Sequence, residues 1–266
     1  MAQRFRASDG VEMVYDALGS GTDIVVLCHG LAAAGEQLLP DAQHFADRGF
    51  RVLVPDLRGH GRSGKPTPLD RDNLSIGRLA TDLVEMLDHA AAPRVHWVGN
   101  SLGGIVALWM LREHEERFRT LATFGTSYRL KLPDFWAPIV PPVQALLGKN
   151  FVGWIAAQAT TRNVAARPLI AKLIRQFDPA VGLPLSRNLA NYDLIAHGRT
   201  ATLPILMLRG SEDKAINAAL KPTLAAMQGR PNFTLVELPG GGHCANLDAT
   251  DALRAELEAF WVRSGA

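Results

Sequence analysis

Short apolar runs alternate with segments of helical spacing along this chain, and no other feature limits its fold as strongly. Residues 24–28 form a continuous, β-branched run. Residues 36–47 place apolar side chains at helical intervals, before Gly49 and a second short run at 52–54. Strands that are apolar along their whole length are typical of a sheet buried on both faces. The pattern therefore predicts an α/β fold with a mostly parallel central sheet flanked by helices.

The same alternation continues to about residue 125 and resumes after residue 202. Further strands are predicted at 11–18, 95–98, 121–124, 203–209 and 233–238, and further helices at 76–90, 102–114 and 251–262. Residues 126–202 carry helical patterns and several prolines but no convincing strand. We therefore predict a core formed by residues 1–125 and 203–266, and a helical cap or lid formed by residues 126–202.

Charge and cysteine content exclude several classes of function. The chain has 28 Lys and Arg against 26 Asp and Glu, spread along its length, which argues against nucleic acid as a main partner. No apolar run follows the first arginines, and no stretch approaches the roughly 18 apolar residues of a membrane helix. We therefore expect no signal peptide, no membrane span and a cytoplasmic location. Two cysteines, Cys28 and Cys244, are too few for a disulfide framework or a four-ligand zinc site, so we expect reduced thiols.

The strongest local motif is G-x-S-x-G, which lies between a predicted strand and a predicted helix. It is formed by Gly99, Asn100, Ser101, Leu102 and Gly103. A serine hydroxyl is a poor nucleophile unless a base can take its proton, and a sharp strand-to-helix turn holds the side chain above the sheet where a base can reach it. The motif therefore indicates Ser101 as a nucleophile.

With two later segments, this motif resembles the α/β-hydrolase family over nearly the whole chain. Residues 210–213 (GSED) follow the strand PILMLR and are similar to the family's G-x-x-D, and residues 239–243 (PGGGH) are similar to its terminal histidine loop. The resemblance implies that His243 is the general base for Ser101 and that Asp213 orients His243. An imidazole suits both proton transfers near pH 7. Glu212, next to Asp213, and Asp134, after an earlier strand, remain alternative acids.

By the same resemblance, the backbone amides of Leu31 and Leu102 would form the oxyanion hole. An oxyanion needs donors that already point towards it, and the loss of one donor typically costs about 3 kcal/mol of transition-state stabilisation. His29, just before this loop, is interpreted as a loop-shaping residue rather than a second base. The chemistry needs no cofactor and no metal.

Residues 59–64 spell a competing motif, the dinucleotide fingerprint G-x-G-x-x-G. A pyrophosphate site requires these glycines to open a helix, and Pro66 and Pro68 argue against a helix here. With Lys65 the stretch also approaches a phosphate-binding loop, but Pro66 stands where the metal-binding hydroxyl would be. In the family that this chain resembles, a similar segment is a structured loop after a core strand.

These features predict a serine hydrolase that cleaves a small or medium apolar carboxylic ester or lactone through an acyl-enzyme. The predicted lid is rich in apolar side chains, which favours an apolar pocket; they are Phe135, Trp136, Ile139, Val140, Leu146, Leu147, Phe151, Trp154 and Ile155. Relatives that act as dehalogenases or epoxide hydrolases carry aspartate at the elbow, which disfavours those activities. No pattern indicates an oligomeric state.

Two alternative functions remain open from the sequence. Residues 99–104 (GNSLGG) are similar to the elbows of hydrolases that cleave carbon–carbon bonds in ring-cleavage products, where lid residues hold a carboxylate. Arg175 or Arg187 could do so here. A ligand-binding receptor that keeps the fold without turnover is the alternative from another class, because fold alone does not settle function.

Overall fold

A twisted sheet forms the centre of the molecule in the computed structural model, which describes residues 2–132 and 148–265. Within these residues the sheet has eight strands in the order β1-β2-β4-β3-β5-β6-β9-β10. They are β1 (Ala2–Arg6), β2 (Glu12–Leu18), β3 (Ile24–Cys28), β4 (Arg51–Asp56), β5 (Val95–Asn100), β6 (Phe118–Phe124), β9 (Ile205–Gly210) and β10 (Phe233–Leu238). β1–β2 and β2–β4 pair antiparallel, and the other pairs are parallel.

Helices cover both faces of this sheet. The α-helices of the described residues are α1 (Leu39–Ala46), α2 (Ile76–His89), α3 (Leu102–His114), α4 (Lys149–Thr160), α5 (Arg167–Gln176), α6 (Pro179–Leu189), α7 (Ile195–Thr200), α8 (Lys214–Ala219), α9 (Lys221–Met227), α10 (Ala245–Asp248) and α11 (Thr250–Arg263). Alternate residues of β3 belong to two apolar clusters, because successive side chains of a strand point to opposite faces. One cluster contains side chains of α2 and α3, and the other contains side chains of α1 and α11. The predicted fold class is confirmed.

The register brings the carboxyl ends of the parallel strands to one edge of the sheet. Cys28 pairs with Gly99, Asn100 pairs with Phe124, and Phe124 pairs with Leu208. The loops that follow β3, β5, β6 and β9 therefore leave the sheet side by side. In open α/β sheets ligands bind at this edge.

Between β6 and β9 the described residues contain α4 to α7 and two short strands that the sequence reading missed. β7 (Arg129–Lys131) pairs antiparallel with β8 (Asn191–Asp193). Strands of three residues are too short to produce a periodic pattern. Asp134 and six of the apolar residues predicted for the lid lie outside the described residues, namely Phe135, Trp136, Ile139, Val140, Leu146 and Leu147.

Candidate active site

Ser101 lies at the tight turn between β5 and α3. Its backbone has φ 50° and ψ −112°, a conformation that residues with a side chain rarely adopt. Hydrogen bonds hold the turn, because the Ser101 amide donates to the carbonyl of Phe124 at 2.9 Å and its own carbonyl accepts from the amides of Gly104 and Ile105 at 3.0 Å. The serine side chain is therefore fixed at the edge where ligands bind.

The two glycines of the motif allow close packing of this turn. A Cβ on Gly99 would overlap the backbone nitrogen of Gly104, and a Cβ on Gly103 would overlap the carbonyl oxygen of Cys28. Both obstacles are backbone atoms, which cannot move aside as a flexible side chain could. Glycine is thus required at both positions by the close approach of α3 to β5 and β3.

Asp213 and His243 form a hydrogen-bonded pair next to this turn. His243 Nδ1 lies 2.8 Å from Asp213 Oδ2, and the Asp213 side chain is only 6% exposed. The other carboxylate oxygen, Oδ1, accepts from the amide of Ile216 at 3.3 Å, so Asp213 also caps the start of α8. A buried carboxylate beside Nδ1 favours the tautomer in which Nδ1 carries the proton and Nε2 can accept one.

Glu212, the neighbouring alternative acid, pairs with Arg162, whereas His243 Nδ1 is bonded to Asp213. The Glu212 side chain is about half exposed and lies 3.8 Å from Arg162. The other alternative, Asp134, lies outside the described residues. Of the three acids considered from the sequence, the structure brings Asp213 to His243.

The loops that carry Asp213 and His243 are bonded to each other along their backbones. Glu212 donates its amide to Gly241 at 2.8 Å, and Gly240 donates its amide to the Ser211 hydroxyl at 2.9 Å. A Cβ on Gly210 would lie 2.5 Å from the Gly241 carbonyl oxygen, so the two loops are in direct backbone contact. This contact fixes the distance between the acid and the histidine.

A cavity of about 410 Å³ lies beside Ser101. Ser101, His243 and Leu31 all contribute to its wall, and no lysine or arginine is among the described residues of that wall. Its lining is mainly apolar and consists of Gly30, Leu31, Ala32, Ala33, Gln37, Asn100, Ser101, Val152, Ala156, Thr160, Ile170, Leu173, Ile174, Phe177, Pro179, Gly182, Leu183, Ser186, His243 and Cys244. Within the described residues, the site can therefore hold a neutral, largely apolar molecule.

The apolar wall comes partly from α4, but from a different face of that helix than the sequence analysis named. Val152, Ala156 and Thr160, spaced by four residues, face the cavity. Phe151, Trp154 and Ile155 are 47%, 57% and 44% exposed and do not line it. The composition of the helix predicted an apolar pocket, whereas its rotation about its own axis decides which side chains form it.

The amides of Leu31 and Leu102 lie on the loops that follow β3 and β5. Within the described ranges, neither amide donates a hydrogen bond to another residue. Leu102 is the first residue of α3, where the amide has no partner inside the helix. Both amides are therefore available to an external acceptor.

Two buried histidines near the cavity are held as neutral side chains. His29 Nδ1 bonds to the Gly30 carbonyl at 2.7 Å while Nε2 accepts the Leu57 amide at 3.0 Å, and burial lowers the pKa of His29. Burial, reinforced by His29, also lowers the pKa of His60 to about 3, and its ring stacks on Phe177 at 4.6 Å. His29 uses both ring nitrogens to shape the loop, which leaves neither for a second base.

The competing glycine motif forms a closed loop rather than a helix start. The amide of Gly59 donates to the carbonyl of Gly64 at 2.8 Å, and the amide of Gly64 donates to Glu12 of β2 at 2.7 Å. No helix follows before Ser75, which caps α2. This geometry lacks the helix N-terminus that a pyrophosphate site needs.

Gln37 and Asn246 are buried polar residues close to the site that the sequence analysis did not single out. They are each 1% exposed. The available signal was weak, because a glutamine in a helical pattern and an asparagine after a histidine loop are ordinary surface residues in most sequences.

Residues 2–132 and 148–265 hold no group of three or more histidine, cysteine, aspartate or glutamate side chains placed to bind a metal ion. They also contain no helix with the length and hydropathy needed to cross a membrane.

Comparison with known proteins decides the family. The sequence model of the alpha/beta hydrolase fold matches residues 23–250. The chain belongs to the α/β-hydrolase family. The predicted recognition and the predicted enzyme class, an α/β-hydrolase, are confirmed at this level.

Relatives of this α/β-hydrolase include enzymes with several activities. It is 27% identical to the pimeloyl-[acyl-carrier protein] methyl ester esterase of Stenotrophomonas maltophilia, over 93% of this chain and 96% of that enzyme. It is 33% identical to epoxide hydrolase A of Mycobacterium tuberculosis, but over only 56% of this chain and 45% of that enzyme. Its fold is similar to the crystal structure of the enol-lactonase from Burkholderia xenovorans LB400, with a TM-score of 0.83 and 22% identity over 98% of this chain and 100% of that one.

Proposed function

We propose that this α/β-hydrolase cleaves small or medium apolar carboxylic esters or lactones, with Ser101 as nucleophile, His243 as general base and Asp213 as the acid that orients it. One observation carries the proposal. Ser101 and His243 line the same apolar cavity, and His243 is hydrogen-bonded at 2.8 Å to the buried carboxylate of Asp213.

The proposed reaction begins with proton transfer from the Ser101 hydroxyl to His243 Nε2. Ser101 Oγ attacks the carbonyl carbon of the ester, and the carbonyl oxygen takes up the negative charge. The alcohol then leaves with the proton from His243, which gives an acyl-enzyme. A water molecule, deprotonated by His243, attacks the acyl carbon, and the acid is released as Ser101 regains its proton.

The amides of Leu31 and Leu102 are proposed to hold the negatively charged oxygen in both steps. They are free of other partners within the described residues, and Leu102 lies at the N-terminus of the 13-residue helix α3. The positive end of a helix dipole adds to the stabilisation of an anion there. Donors that are already oriented need no rearrangement as the charge develops.

The proposed substrate class follows from the wall of the cavity. Leu173, Ile174 and Phe177 of the α5 region and Val152 and Ala156 of α4 provide apolar contacts for an acyl chain. No lysine or arginine of the described wall could pair with a carboxylate, and a buried charge without a partner is unfavourable. The names of the esterase and lactonase relatives point to the same bond types. Residues 126–202 would act as the cap that encloses the substrate.

The carbon–carbon hydrolase alternative lacks the support it needs. Arg175 and Arg187, the residues considered for holding a carboxylate, are both exposed, and neither lines the cavity. Epoxide hydrolysis is also disfavoured, because position 101 holds serine rather than the aspartate that the sequence resemblance associates with that chemistry.

A fluorophosphonate probe and a panel of p-nitrophenyl esters, lactones and thioesters test the proposal. We expect the probe to label the native protein and Ser264→Ala, in which a serine at the end of α11 is removed, but not Ser101→Ala. We expect medium-chain neutral esters or lactones to be hydrolysed fastest. Failure of the native protein to be labelled, or equal labelling of Ser101→Ala, would favour a binding protein without turnover.

A further inference from the structure

A continuous chain of buried polar side chains leads from the turn at Ser101 to helix α11. It consists of Asn100, Gln37, Asn246, Asp41 and Arg254, and we refer to it as the buried polar chain. Its first four members are 1% to 3% exposed. Buried polar groups are costly unless their hydrogen bonds are satisfied, so the bonding pattern of each member is constrained by its neighbours.

Asn100 determines the pattern at the end nearest the site. Its Nδ2 donates to the carbonyl of Phe124 at 3.3 Å and to the carbonyl of His243 at 3.1 Å. Because carbonyls only accept, this amide cannot be turned round, and Oδ1 must face the other way. There it accepts from Gln37 Nε2 at 3.2 Å.

Arg254 and Asp41 determine the pattern at the far end. Arg254 Nε donates to Asp41 Oδ1 at 2.8 Å, and Asn246 Nδ2 donates to Asp41 Oδ2 at 3.0 Å. The carboxylate beside the guanidinium is an acceptor, so Asn246 must present its Nδ2 to it. Its Oδ1 then accepts from Gln37 Nε2 at 3.2 Å.

Gln37 closes the chain between these two ends. Its Nε2 group has two hydrogens and two acceptors, Asn100 Oδ1 and Asn246 Oδ1, so its orientation is fixed from both sides. Gln37 also lines the cavity beside Ser101. A change at Arg254 therefore removes the bond that holds Asp41 in place, and so loosens Asn246 and Gln37, which pack against the Asn100 amide.

We propose that the buried polar chain positions His243 relative to Ser101, with Arg254 as the distant positioning residue. Asn100 directly precedes Ser101 and holds the backbone carbonyl of His243, so one side chain ties the nucleophile to the base. The inference rests on the proposed function, in which Ser101 and His243 must be aligned for proton transfer. Misplacement of reacting groups by about 1 Å from a distant substitution can lower a rate by about 100-fold.

Arg254→Met tests the inference against a matched control, Arg117→Met. Both arginines are largely buried, at 17% and 14% side-chain exposure, and each bonds an aspartate at 2.8 Å. Arg117 immediately precedes β6 at Phe118, at the opposite edge of the sheet from Ser101. We expect Arg254→Met to lower kcat about 10-fold to 100-fold, with KM changed less than about twofold, and Arg117→Met to leave both unchanged. The rate of Ser101 labelling should fall with kcat.

Two further variants separate positioning from general loss of stability. Arg254→Lys keeps a donor for Asp41 and should recover most of kcat. Gln37→Met keeps the volume but removes both donors, and should lower kcat at least as much as Arg254→Met does. All assays are run where unfolding curves show each variant fully folded. Equal kcat losses in Arg254→Met and Arg117→Met, or no recovery in Arg254→Lys, would overturn the inference.

A measurement that does not depend on turnover keeps this inference distinct from the proposed function. The proton on His243 Nδ1 is shared with Asp213, and its exchange with solvent can be followed by NMR. We expect faster exchange in Arg254→Met than in the native protein and in Arg117→Met. Unchanged exchange of the His243 Nδ1 proton in Arg254→Met would contradict the positioning role even if no ester were hydrolysed. A native protein that hydrolyses no ester but shows the expected difference in exchange would contradict the proposed function alone.

Discussion

Replacement of Asp213 by asparagine is expected to abolish most catalysis while leaving the fold intact. Asp213 Oδ1 accepts the amide of Ile216 at 3.3 Å, and an asparagine oxygen can keep that bond. Its Nδ2 group would then face His243 Nδ1. Because Nδ2 can only donate, His243 would have to accept at Nδ1 and carry its proton on Nε2. In that tautomer His243 cannot take the proton of Ser101.

The size of the effect follows from the loss of this tautomer. A triad that loses its acid to asparagine in a serine protease loses about 10⁴-fold in kcat, which corresponds to about 5 kcal/mol of transition-state stabilisation. Glu212→Gln provides the matched comparison, since Glu212 is half exposed and lies 3.8 Å from Arg162. An exposed ion pair of that kind contributes roughly 0 to 1 kcal/mol to stability, and kcat should stay within about twofold.

The assay measures kcat on a neutral p-nitrophenyl ester at pH 8. Urea unfolding curves establish that each variant is fully folded under the assay conditions, so that kcat refers to folded enzyme. The free energy of unfolding of Asp213→Asn should lie within about 1 kcal/mol of the native value, because the cap of α8 is retained. The reasoning would be refuted if Asp213→Asn lost less than about tenfold in kcat, or if Glu212→Gln lost more than Asp213→Asn.

Three further predictions address packing, pH and substrate charge. Gly103→Ala should lower the free energy of unfolding by about 1–3 kcal/mol, since its Cβ would overlap the Cys28 carbonyl. Gly77→Ala, whose Cβ would lie 3.3 Å from the nearest atom of the Trp109 side chain, should not lower it. Urea unfolding measures both variants. Burial lowers the pKa of His60 to about 3 in the folded protein, whereas it is about 6.5 in the unfolded chain. Because only the unfolded chain then takes up a proton at His60, the free energy of unfolding decreases as pH falls below about 6.5. Between pH 7.5 and 5, urea unfolding should show a loss about 2 kcal/mol smaller in His60→Gln than in the native protein. An ester whose acyl chain ends in a carboxylate should be hydrolysed at least about 100-fold less efficiently, by kcat/KM, than a neutral ester of equal length, and a smaller difference would contradict the proposed pocket.

Elements with long, uniform patterns were predictable from the sequence alone. β3 and β10 occupy the predicted residues 24–28 and 233–238, and α3 occupies 102–114. β3 is a continuous buried apolar run and α3 is buried along most of its length, so local sequence and tertiary packing agree in both. β10 has β-branched and apolar residues suited to a strand, although five of its six residues are at least partly exposed. β1 was missed because most of its residues are exposed, so Ala2–Arg6 shows no apolar alternation. Its strand conformation comes from pairing with β2, which is not a local property.

The choice between Asp213 and Glu212 illustrates a different limit. Two adjacent acids have the same charge, and only the backbone direction decides which one faces His243. A signal was nevertheless present, because α8 begins immediately afterwards and aspartate caps helices far better than glutamate does. A predicted helix at 214–219 would have favoured Asp213, but a helix of six residues gives almost no periodic pattern.

The buried polar chain shows why the second residue of G-x-S-x-G is not free in this protein. Asn100 must supply two donors for the carbonyls of Phe124 and His243 and one acceptor for Gln37. A serine there has one donor, and an aspartate has none when ionised. An apolar residue would remove the bonds to the His243 carbonyl and to Gln37, while the Phe124 carbonyl would keep the bonds from the Ser101 amide and the Thr126 hydroxyl. Each unsatisfied buried group costs about 1–3 kcal/mol, so the side-chain amide at this position is favoured chiefly by partners that are 143 and 63 residues away, His243 and Gln37. The motif identifies the serine, while the identity of its neighbour is decided by the folded structure around it.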